Sequence, residues 1–141
     1  MKKILFLCTG NSCRSQIAEG IANSIFGEGY QIESAGTEKH GVNPNAIQTL
    51  KEINIDISSY KSKTIELSRL NDFDIIITLC GDAKDKCPIL DKSVKHIHWD
   101  LQDPAKFKGT DLKIRSNFGK TRDLILNYIK DLKLNLEKGV L

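Results

Sequence analysis

The sequence predicts an α/β fold in which a four-stranded, parallel, twisted sheet is flanked by helices. Two short segments, Ile4–Leu7 and Ile75–Ile77, are apolar throughout, as is typical of strands buried on both faces. Segments with helical periodicity alternate with strand candidates along the chain, and this order indicates a parallel sheet. The 141 residues contain no linker, repeat or low-complexity tract, so we expect one domain, residues 1–141, with a core of its own.

The first half of the chain supplies two strand candidates and two helix candidates. Lys2–Leu7 is predicted to be a central strand, and residues 14–26 have the pattern of an amphipathic helix. Gln31–Ser34 is a short strand candidate. A second helix begins with Asn43 as its N-cap and Pro44 in its first turn. The buried stripe predicted for this helix consists of Ile47, Leu50 and Ile53.

The second half of the chain supplies two more strands and the longest helix. Asp74–Leu79 is predicted to be a strongly buried strand, and Lys95–Trp99 a weaker one. A helix is predicted over about Asp111–Glu137, although Gly119 weakens it by about 1 kcal/mol relative to alanine. The ligand site of a parallel sheet lies beyond the carboxyl ends of its strands. The apolar residues at helical spacing in the last helix are Ile114, Phe118, Ile125, Ile129, Leu132 and Leu136.

Composition excludes several classes of function. The net charge is +3, from 21 basic and 18 acidic residues, which is too balanced to indicate nucleic-acid binding. The apolar runs are too short to span a membrane, and the polar residues 9–12 interrupt the only run that resembles a signal peptide. We therefore expect a cytoplasmic, monomeric enzyme without a nucleic-acid or membrane partner.

The segment directly after the first strand is predicted to bind a tetrahedral oxyanion. The backbone amides of residues 9–14 can point inward as a nest, the following helix adds positive potential, and Arg14 offers a planar fork. The pKa of cysteine falls from about 8.5 to roughly 3.5–7.5 in such surroundings, so Cys8 is the candidate nucleophile. A purely buried, apolar Cys8 is disfavoured by the residues that follow it. The predicted substrate-binding residues are Thr9, Gly10, Asn11, Ser12, Cys13, Arg14 and Ser15.

The other cysteines have different surroundings. Cys13 opens an apolar helix face, so we interpret it as a packing residue rather than a redox residue. Cys80 directly follows a predicted strand, as Cys8 does, and neighbouring strands are about 4.8 Å apart, within the roughly 7 Å Cα separation of a disulfide. If residues 80–87 were helical, Cys80 and Cys87 would lie about 10.5 Å apart, so a bridge between them would require unwinding. The cysteine spacings do not fit paired zinc knuckles, and we predict no metal site of that kind.

The motifs taken together resemble the thioredoxin-coupled arsenate reductases, which share their fold with the low-molecular-weight protein tyrosine phosphatases. The resemblance covers about residues 2–130. The oxyanion loop alone does not separate the two groups, because the phosphatases carry nearly the same loop. The segments that carry the resemblance are Cys8–Ser15, Ser34–Thr37, His40–Pro44, Asp56–Ser58, Thr78–Cys80, Cys87–Leu90, His98–Trp99 and Asp103–Pro104.

The resemblance implies a reaction sequence for arsenic detoxification. Cys8 attacks arsenate that is held by Arg14 and the loop, and Asp103 protonates a departing oxygen. Cys80 then attacks Cys8, which releases arsenite and leaves a Cys8–Cys80 disulfide. Cys87 converts this bridge into Cys80–Cys87, which reduced thioredoxin opens, so that no bound cofactor is needed. The resemblance also implies that Ser15 hydrogen-bonds the nucleophilic thiolate and that Asn11 braces the loop.

Two alternative functions remain open at this point. A low-molecular-weight tyrosine phosphatase would use the same loop, but it has no need of Cys80 and Cys87. Its acid-bearing motif usually continues with aromatic residues, whereas Asp103-Pro104 is followed by alanine and lysine. Weak residual phosphatase activity is expected in either case. The third hypothesis is a thiol redox sensor without enzymatic activity, which would leave Arg14 without a role.

One position departs from the family pattern. Some of these reductases bind potassium beside the loop, and Asn11, Glu19 and Ser34 match residues of that site. The remaining carboxylate aligns with Lys63, whose ammonium would replace the ion and repel it, with Glu19 as its expected partner. We expect surface or packing positions for the three histidines, His40, His96 and His98. Trp99 is expected in the core or the cleft wall.

Overall fold

The computed structural model describes residues 1–80, 83, 87 and 89–141. This part of the chain forms a sheet of four parallel strands, as predicted, and their order in the sheet is β2-β1-β3-β4. Leu7 of β1 lies opposite Ala35 of β2 and Thr78 of β3, so the three strands end at the same edge. The strands are β1 (Lys2–Cys8), β2 (Tyr30–Gly36), β3 (Ile75–Thr78) and β4 (Lys95–His98).

Three helices are described, and two of them begin at clear caps. Asn43 precedes α2 and accepts a hydrogen bond from the Asn45 amide at 2.8 Å, which confirms the predicted N-cap. Thr110 caps α3 in the same manner through the Lys113 amide at 3.3 Å. The helices are α1 (Arg14–Ile25), α2 (Pro44–Lys51) and α3 (Asp111–Glu137), and short 3-10 helices cover Leu67–Asp72 and Pro104–Lys106.

The sheet separates two apolar layers because successive side chains of a strand point to opposite faces. Ile4 and Phe6 face α1, α2 and α3, where Ile17, Leu50 and Ile125 complete the larger core. The opposite face is smaller and contains residues of β1, β3 and the chain that follows them. Each fully buried side chain of this size contributes about 1.5–3 kcal/mol relative to an exposed one. The residues of the second layer are Leu5, Leu7, Cys8, Ala35, Leu70, Phe73, Ile76, Cys80, Ala83 and Val94.

Most differences from the predicted elements are at their ends. β2 is longer than the predicted strand, while β3 and β4 stop one residue earlier than predicted. The predicted buried stripe of α2 is wrong in part: Ile47 and Ile53 are only partly buried, because α2 turns Ala46, Thr49 and Leu50 toward α1 and α3. The conformation considered for residues 81–86 lies outside the described residues. Within the described ranges, no helix has the length and hydropathy that a membrane span requires.

Candidate active site

The carboxyl edge of the sheet opens into a cleft of about 1020 Å³. Cys8 ends β1 at its floor, and Arg14 begins α1 directly beyond the loop. Cys80 and Asp103 line the same cleft, although they come from distant parts of the sequence. Four of the five predicted catalytic residues are therefore brought together, and the fifth, Cys87, does not line this cleft.

The backbone of the oxyanion loop is tied down on its outer side. The loop carbonyls accept hydrogen bonds from amides outside the loop, so the loop peptides are held with their oxygens away from the cleft. Among the described residues, the amides of Gly10, Asn11, Ser12 and Cys13 donate no hydrogen bond to a protein acceptor, which suits a nest for an anion. The outer bonds run from the amides of Thr37, Glu38, His40 and Asn43 to the carbonyls of Cys8, Thr9, Gly10 and Ser12, at 3.2, 2.8, 3.0 and 3.1 Å.

A hydrogen-bond network beneath the loop leads to the Cys8 sulfur. Asn11 Oδ1 accepts from the Lys63 amide at 2.9 Å, and this fixes the direction of the Asn11 amide group. Asn11 Nδ2 consequently donates to Ser15 Oγ at 2.8 Å and to Ser34 Oγ at 2.9 Å. Ser15 Oγ lies 2.8 Å from Cys8 Sγ, close enough for its hydroxyl to donate to a thiolate. The contacts expected of Ser15 and Asn11 are thus present.

Arg14 is held in place by backbone carbonyls and by an acid. Its Nη1 donates to the Leu101 carbonyl at 2.7 Å, and its Nη2 lies 3.7 Å from Asp103 Oδ2. Asp103 also accepts from the Ala105 amide at 2.9 Å, where it caps the 3-10 helix that begins with Pro104. Asp103 therefore caps this turn and also lies beside the guanidinium, and its role as a proton donor stays a prediction.

The two candidate resolving thiols, Cys80 and Cys87, differ in exposure, and Cys87 is the more exposed. Cys80 is buried, and its Sγ lies 3.1 Å from Thr9 Oγ1, so the loop contacts both it and Cys8. The Leu79 amide donates to the Leu7 carbonyl at 3.0 Å, which extends the strand pairing up to the residues that carry these two thiols. Cys87 is half-buried, and burial raises the pKa of its thiol. All four cysteines are free thiols, and the two expected disulfides stay predictions.

Cys13 lies in the larger core, as the packing interpretation requires. Burial raises the pKa of its thiol to about 12, and the negative charge of Asp103 adds to this effect. The thiol consequently stays protonated at neutral pH and is a poor nucleophile.

The structure corrects the partner expected for Lys63. Its ammonium lies 3.7 Å from Glu33 on β2, which also pairs with Arg69 at 3.4 Å, rather than forming a direct pair with Glu19. Glu19 instead accepts a short hydrogen bond from Ser34. Burial raises the pKa of Glu19, and the Ser34 hydrogen bond and the Lys63 charge oppose this shift. In the described part of the chain, no group of three or more potential ligands among His, Cys, Asp and Glu could hold a metal ion.

The three histidines differ from one another. His96 Nε2 and His98 Nδ1 lie 3.0 and 2.7 Å from the Thr78 hydroxyl, which fits a packing role at the sheet edge. His40 lines the cleft, so the expectation of a surface or packing position is incomplete for it. Trp99 is buried and stacks on Tyr128 with ring centroids 5.0 Å apart, as expected of a core residue.

Sequence reasoning missed the support that the loop receives from distant segments. Gln16 Nε2 donates to Asn11 Oδ1 at 2.9 Å, and Ser62 Oγ donates to the Asn11 carbonyl at 2.6 Å. Ser62 lies in irregular structure, which has no periodic pattern to detect. The position of His40, shortly after the end of β2, was a usable signal, because all strand ends of a parallel sheet meet at one edge.

The fold and the site together define a protein of the low-molecular-weight phosphatase class, in which a thiol at the end of a central strand lies at the start of the loop. The chain belongs to the low molecular weight phosphotyrosine protein phosphatase family, whose model matches residues 3–140.

Relatives that match most of the chain include proteins named arsenate reductase. An arsenate reductase of Oceanobacillus iheyensis is 51% identical over 129 residues, which are 92% of this chain and 93% of that protein. A solved structure described as an arsenate reductase in the phosphate binding state is 34% identical, with a TM-score of 0.69, and the match covers 93% of this chain and 98% of that one. A thioredoxin-dependent arsenate reductase of Corynebacterium glutamicum has a TM-score of 0.73 over 96% of this chain and 63% of that one, and at 23% identity it shows the fold alone.

Proposed function

We propose that the protein reduces arsenate to arsenite with its own thiols and that reduced thioredoxin regenerates it. The observation that carries this proposal is that two free thiols, from the ends of two neighbouring strands, contact the same loop. Cys8 Sγ contacts Ser15 at 2.8 Å, and Cys80 Sγ contacts Thr9 at 3.1 Å. The relative named arsenate reductase at 51% identity supports arsenate as the substrate.

The proposed first step forms a bond between sulfur and arsenic. Arsenate enters the nest of loop amides and takes the guanidinium fork of Arg14, while the Cys8 thiolate attacks arsenic. As this bond forms, the bond from arsenic to one arsenate hydroxyl breaks, and the hydroxyl leaves as water with a proton from Asp103, which lies beside Arg14. Arsenic is still in its pentavalent state in the resulting adduct.

The second step transfers the electrons. The Cys80 thiolate attacks the Cys8 sulfur, the sulfur–arsenic bond breaks, and its electron pair stays on arsenic, which leaves as trivalent arsenite. The two thiols supply the two electrons and become the Cys8–Cys80 disulfide. Cys87 then attacks Cys80, frees Cys8 and leaves a Cys80–Cys87 bridge for the dithiol of thioredoxin to reduce. The greater exposure of Cys87 supports this last role.

A second candidate function, phosphate-ester hydrolysis, is supported by the family and by one residue of the cleft. The sequence places no aromatic residue directly after Asp103-Pro104, but Phe107, which is 41% exposed, lines the same cleft. An aryl phosphate could therefore contact one ring, worth about 0.5–1.5 kcal/mol. We propose this hydrolysis as a weak side activity. A pure redox sensor would leave Arg14 and the loop amides without a ligand.

The decisive experiment compares the two activities in one preparation. Arsenite formation with thioredoxin, thioredoxin reductase and NADPH is measured beside hydrolysis of p-nitrophenyl phosphate. We expect sustained arsenite formation and slow hydrolysis. Fast hydrolysis without arsenate turnover would move the assignment to the phosphatase, and absence of both activities would favour the redox sensor.

Substitution of single cysteines separates the proposed roles. Cys8→Ser should abolish both activities, because both need the nucleophile. Cys80→Ser and Cys87→Ser should abolish sustained arsenate turnover and leave hydrolysis within about twofold, because ester hydrolysis forms no disulfide. Peptide mapping of the Cys87→Ser protein after one exposure to arsenate should find a Cys8–Cys80 bridge. A Cys8–Cys13 bridge, or equal loss of both activities in this variant, contradicts the assignment.

We further propose that the protein works in the cytoplasm, as a monomer and without a bound cofactor. The cascade requires reduced thiols at the start of each cycle, which the cytoplasm maintains. Every residue that the proposed reaction uses is supplied by one chain.

A further inference from the structure

The imidazole of His40 lies directly over Gly10 of the oxyanion loop. Gly10 does not have a positive φ, so its backbone conformation does not require glycine. A Cβ atom at this position would lie 2.5 Å from His40 Nδ1 and 2.9 Å from His40 Cγ. A side chain at position 10 would therefore have to displace the imidazole, which occupies its space.

Two further contacts fix the imidazole over the loop. His40 Nε2 lies 2.7 Å from Glu38 Oε2, and the His40 amide donates to the Gly10 carbonyl at 3.0 Å. One residue thus holds Gly10 through its backbone and its ring at the same time. The side chains of His40 and Glu38 are 54% and 57% exposed, so this pair contributes little to global stability, and its effect is local.

The position of Gly10 gives this local effect a consequence for binding. Its carbonyl belongs to the same peptide as the Asn11 amide, which donates no hydrogen bond within the described chain and can face an oxyanion. Rotation of the peptide would turn that amide away from the cleft, and the ring and the carbonyl bond of His40 both oppose such a rotation. Donors held in place before the ligand arrives bind it more tightly, because their ordering costs nothing at that moment.

We propose that His40, oriented by Glu38, is a positioning residue of the oxyanion site: it holds the Gly10–Asn11 peptide in the conformation that binds a tetrahedral oxyanion. The inference rests on the proposed function in so far as the ligand is an oxyanion, and inorganic phosphate and arsenate are the probes. It assigns the pair no part in the transfer of electrons or protons.

The first test measures phosphate affinity by calorimetry with the full-length, reduced protein. His40→Ala should raise the Kd for phosphate about tenfold and Glu38→Ala by a smaller factor, the size expected when one loop amide that donates to a charged ligand is no longer held in place. Lys39→Ala is the matched control, since it removes a cation from the same exposed segment, and its Kd should match that of the wild type. The KM for arsenate should rise with the Kd, while the single-turnover rate at saturating arsenate stays within about twofold.

The second test uses the contact between the ring and position 10. Gly10→Ala alone should weaken phosphate binding more than His40→Ala does, because the new methyl group displaces the ring and the peptide. The double variant Gly10→Ala/His40→Ala should regain affinity to about the level of His40→Ala alone, which is the coupling expected of residues in contact.

Three outcomes overturn the inference: a wild-type Kd for His40→Ala, an equal loss in Lys39→Ala, or a double variant that binds no better than Gly10→Ala. If thermal melting shows that Gly10→Ala is unfolded, the comparison of His40→Ala with Lys39→Ala decides the matter. Failure of the proposed function has a different signature, because the wild-type protein would then form no arsenite in the thioredoxin-coupled assay, whatever its Kd for phosphate.

Discussion

Asn11 sets the direction of the hydrogen bonds around the nucleophile. Its φ of 48° lies in the left-handed region, which asparagine tolerates better than most residues. Its amide donates to Ser15 and Ser34; Ser34 in turn donates to Glu19, and the Ser15 hydroxyl can donate to a thiolate at Cys8. A single side chain thereby links the thiol to a buried carboxyl group on α1.

The contact between Thr9 and Cys80 predicts a step-specific variant. Thr9→Val keeps the shape of the side chain but removes the hydroxyl that lies 3.1 Å from Cys80 Sγ. We expect arsenite release in a single turnover to slow about tenfold, with phosphate-ester hydrolysis unchanged, because hydrolysis does not use Cys80. Thr9→Ser is the matched control and should behave as the wild type. Equal slowing in both variants would show that the methyl group matters and the hydroxyl does not.

The buried carboxyl group of Glu19 predicts a pH-dependent effect on stability. Its pKa is raised, mainly by burial, so the folded protein keeps this proton to a higher pH than the unfolded chain does. Folding consequently loses stability as the pH rises from the ordinary pKa of glutamate through the raised value. Glu19→Gln should have a higher Tm than the wild type at pH 7, and this difference should vanish below about pH 4, where both states are protonated.

Glu28→Gln is the control for this measurement, because Glu28 is exposed and the substitution removes a carboxylate that is not buried. Its Tm should follow that of the wild type at both pH values. A lower Tm of Glu19→Gln at pH 7 would mean that the charge of Glu19 stabilises the fold through its Ser34 and Lys63 interactions more than burial costs.

At the scale of elements, the loop depends on the ends of neighbouring strands. β2 ends at Gly36, which packs against the backbone of the oxyanion loop. A Cβ atom on Gly36 would lie 2.6 Å from the Thr9 carbonyl oxygen and 2.8 Å from the Asn11 amide nitrogen. Both contacts are with backbone atoms, which cannot rotate away as a side chain can.

Gly36→Ala should therefore damage the site and the fold together. We expect a loss of about 1–3 kcal/mol in the free energy of unfolding, the usual cost of overpacking, and loss of phosphate binding. Gly27→Ala is the matched control, because a Cβ atom there meets nothing within 4 Å and its φ is not positive. It should be neutral or stabilising by up to about 1 kcal/mol in urea unfolding. Wild-type phosphate affinity in Gly36→Ala would contradict the close packing.

The sequence was sufficient to predict the elements whose patterns are local and periodic. The last helix, the cap at Asn43 and the buried strands β1 and β3 are of this kind, since each depends on residues close together in the chain. The segments 37–43 and 61–63 have no periodic sequence pattern. Their contribution is a set of hydrogen bonds to the oxyanion loop, which is distant in sequence, so local patterns could not predict it. The partner of Lys63 was mispredicted for the same reason: which acid its flexible side chain reaches depends on the tertiary path of β2.

At the scale of the whole molecule, a stability measurement tests the proposed replacement of potassium by Lys63. Its charge lowers the pKa of Glu19 against the effect of burial, as a bound cation there would. We expect the Tm and the activity to be unchanged when potassium replaces sodium at fixed ionic strength. Lys63→Asp is the informative variant and should gain a Tm increase that is specific to potassium. A saturable rise in the Tm of the wild-type protein with potassium alone contradicts the replacement.

The outward bonding of the loop carbonyls has a consequence for selectivity among oxyanions. A site made of peptide amides and one guanidinium recognises tetrahedral shape and negative charge, which arsenate and phosphate share. Under the proposed reaction, binding cannot sort one from the other, and phosphate occupies the loop as a competitor. The attack of Cys80 distinguishes the two oxyanions, because arsenic accepts the electron pair of the broken bond to sulfur and phosphorus does not. Discrimination is then kinetic, and tighter binding of arsenate would bring equally tight occupancy by phosphate.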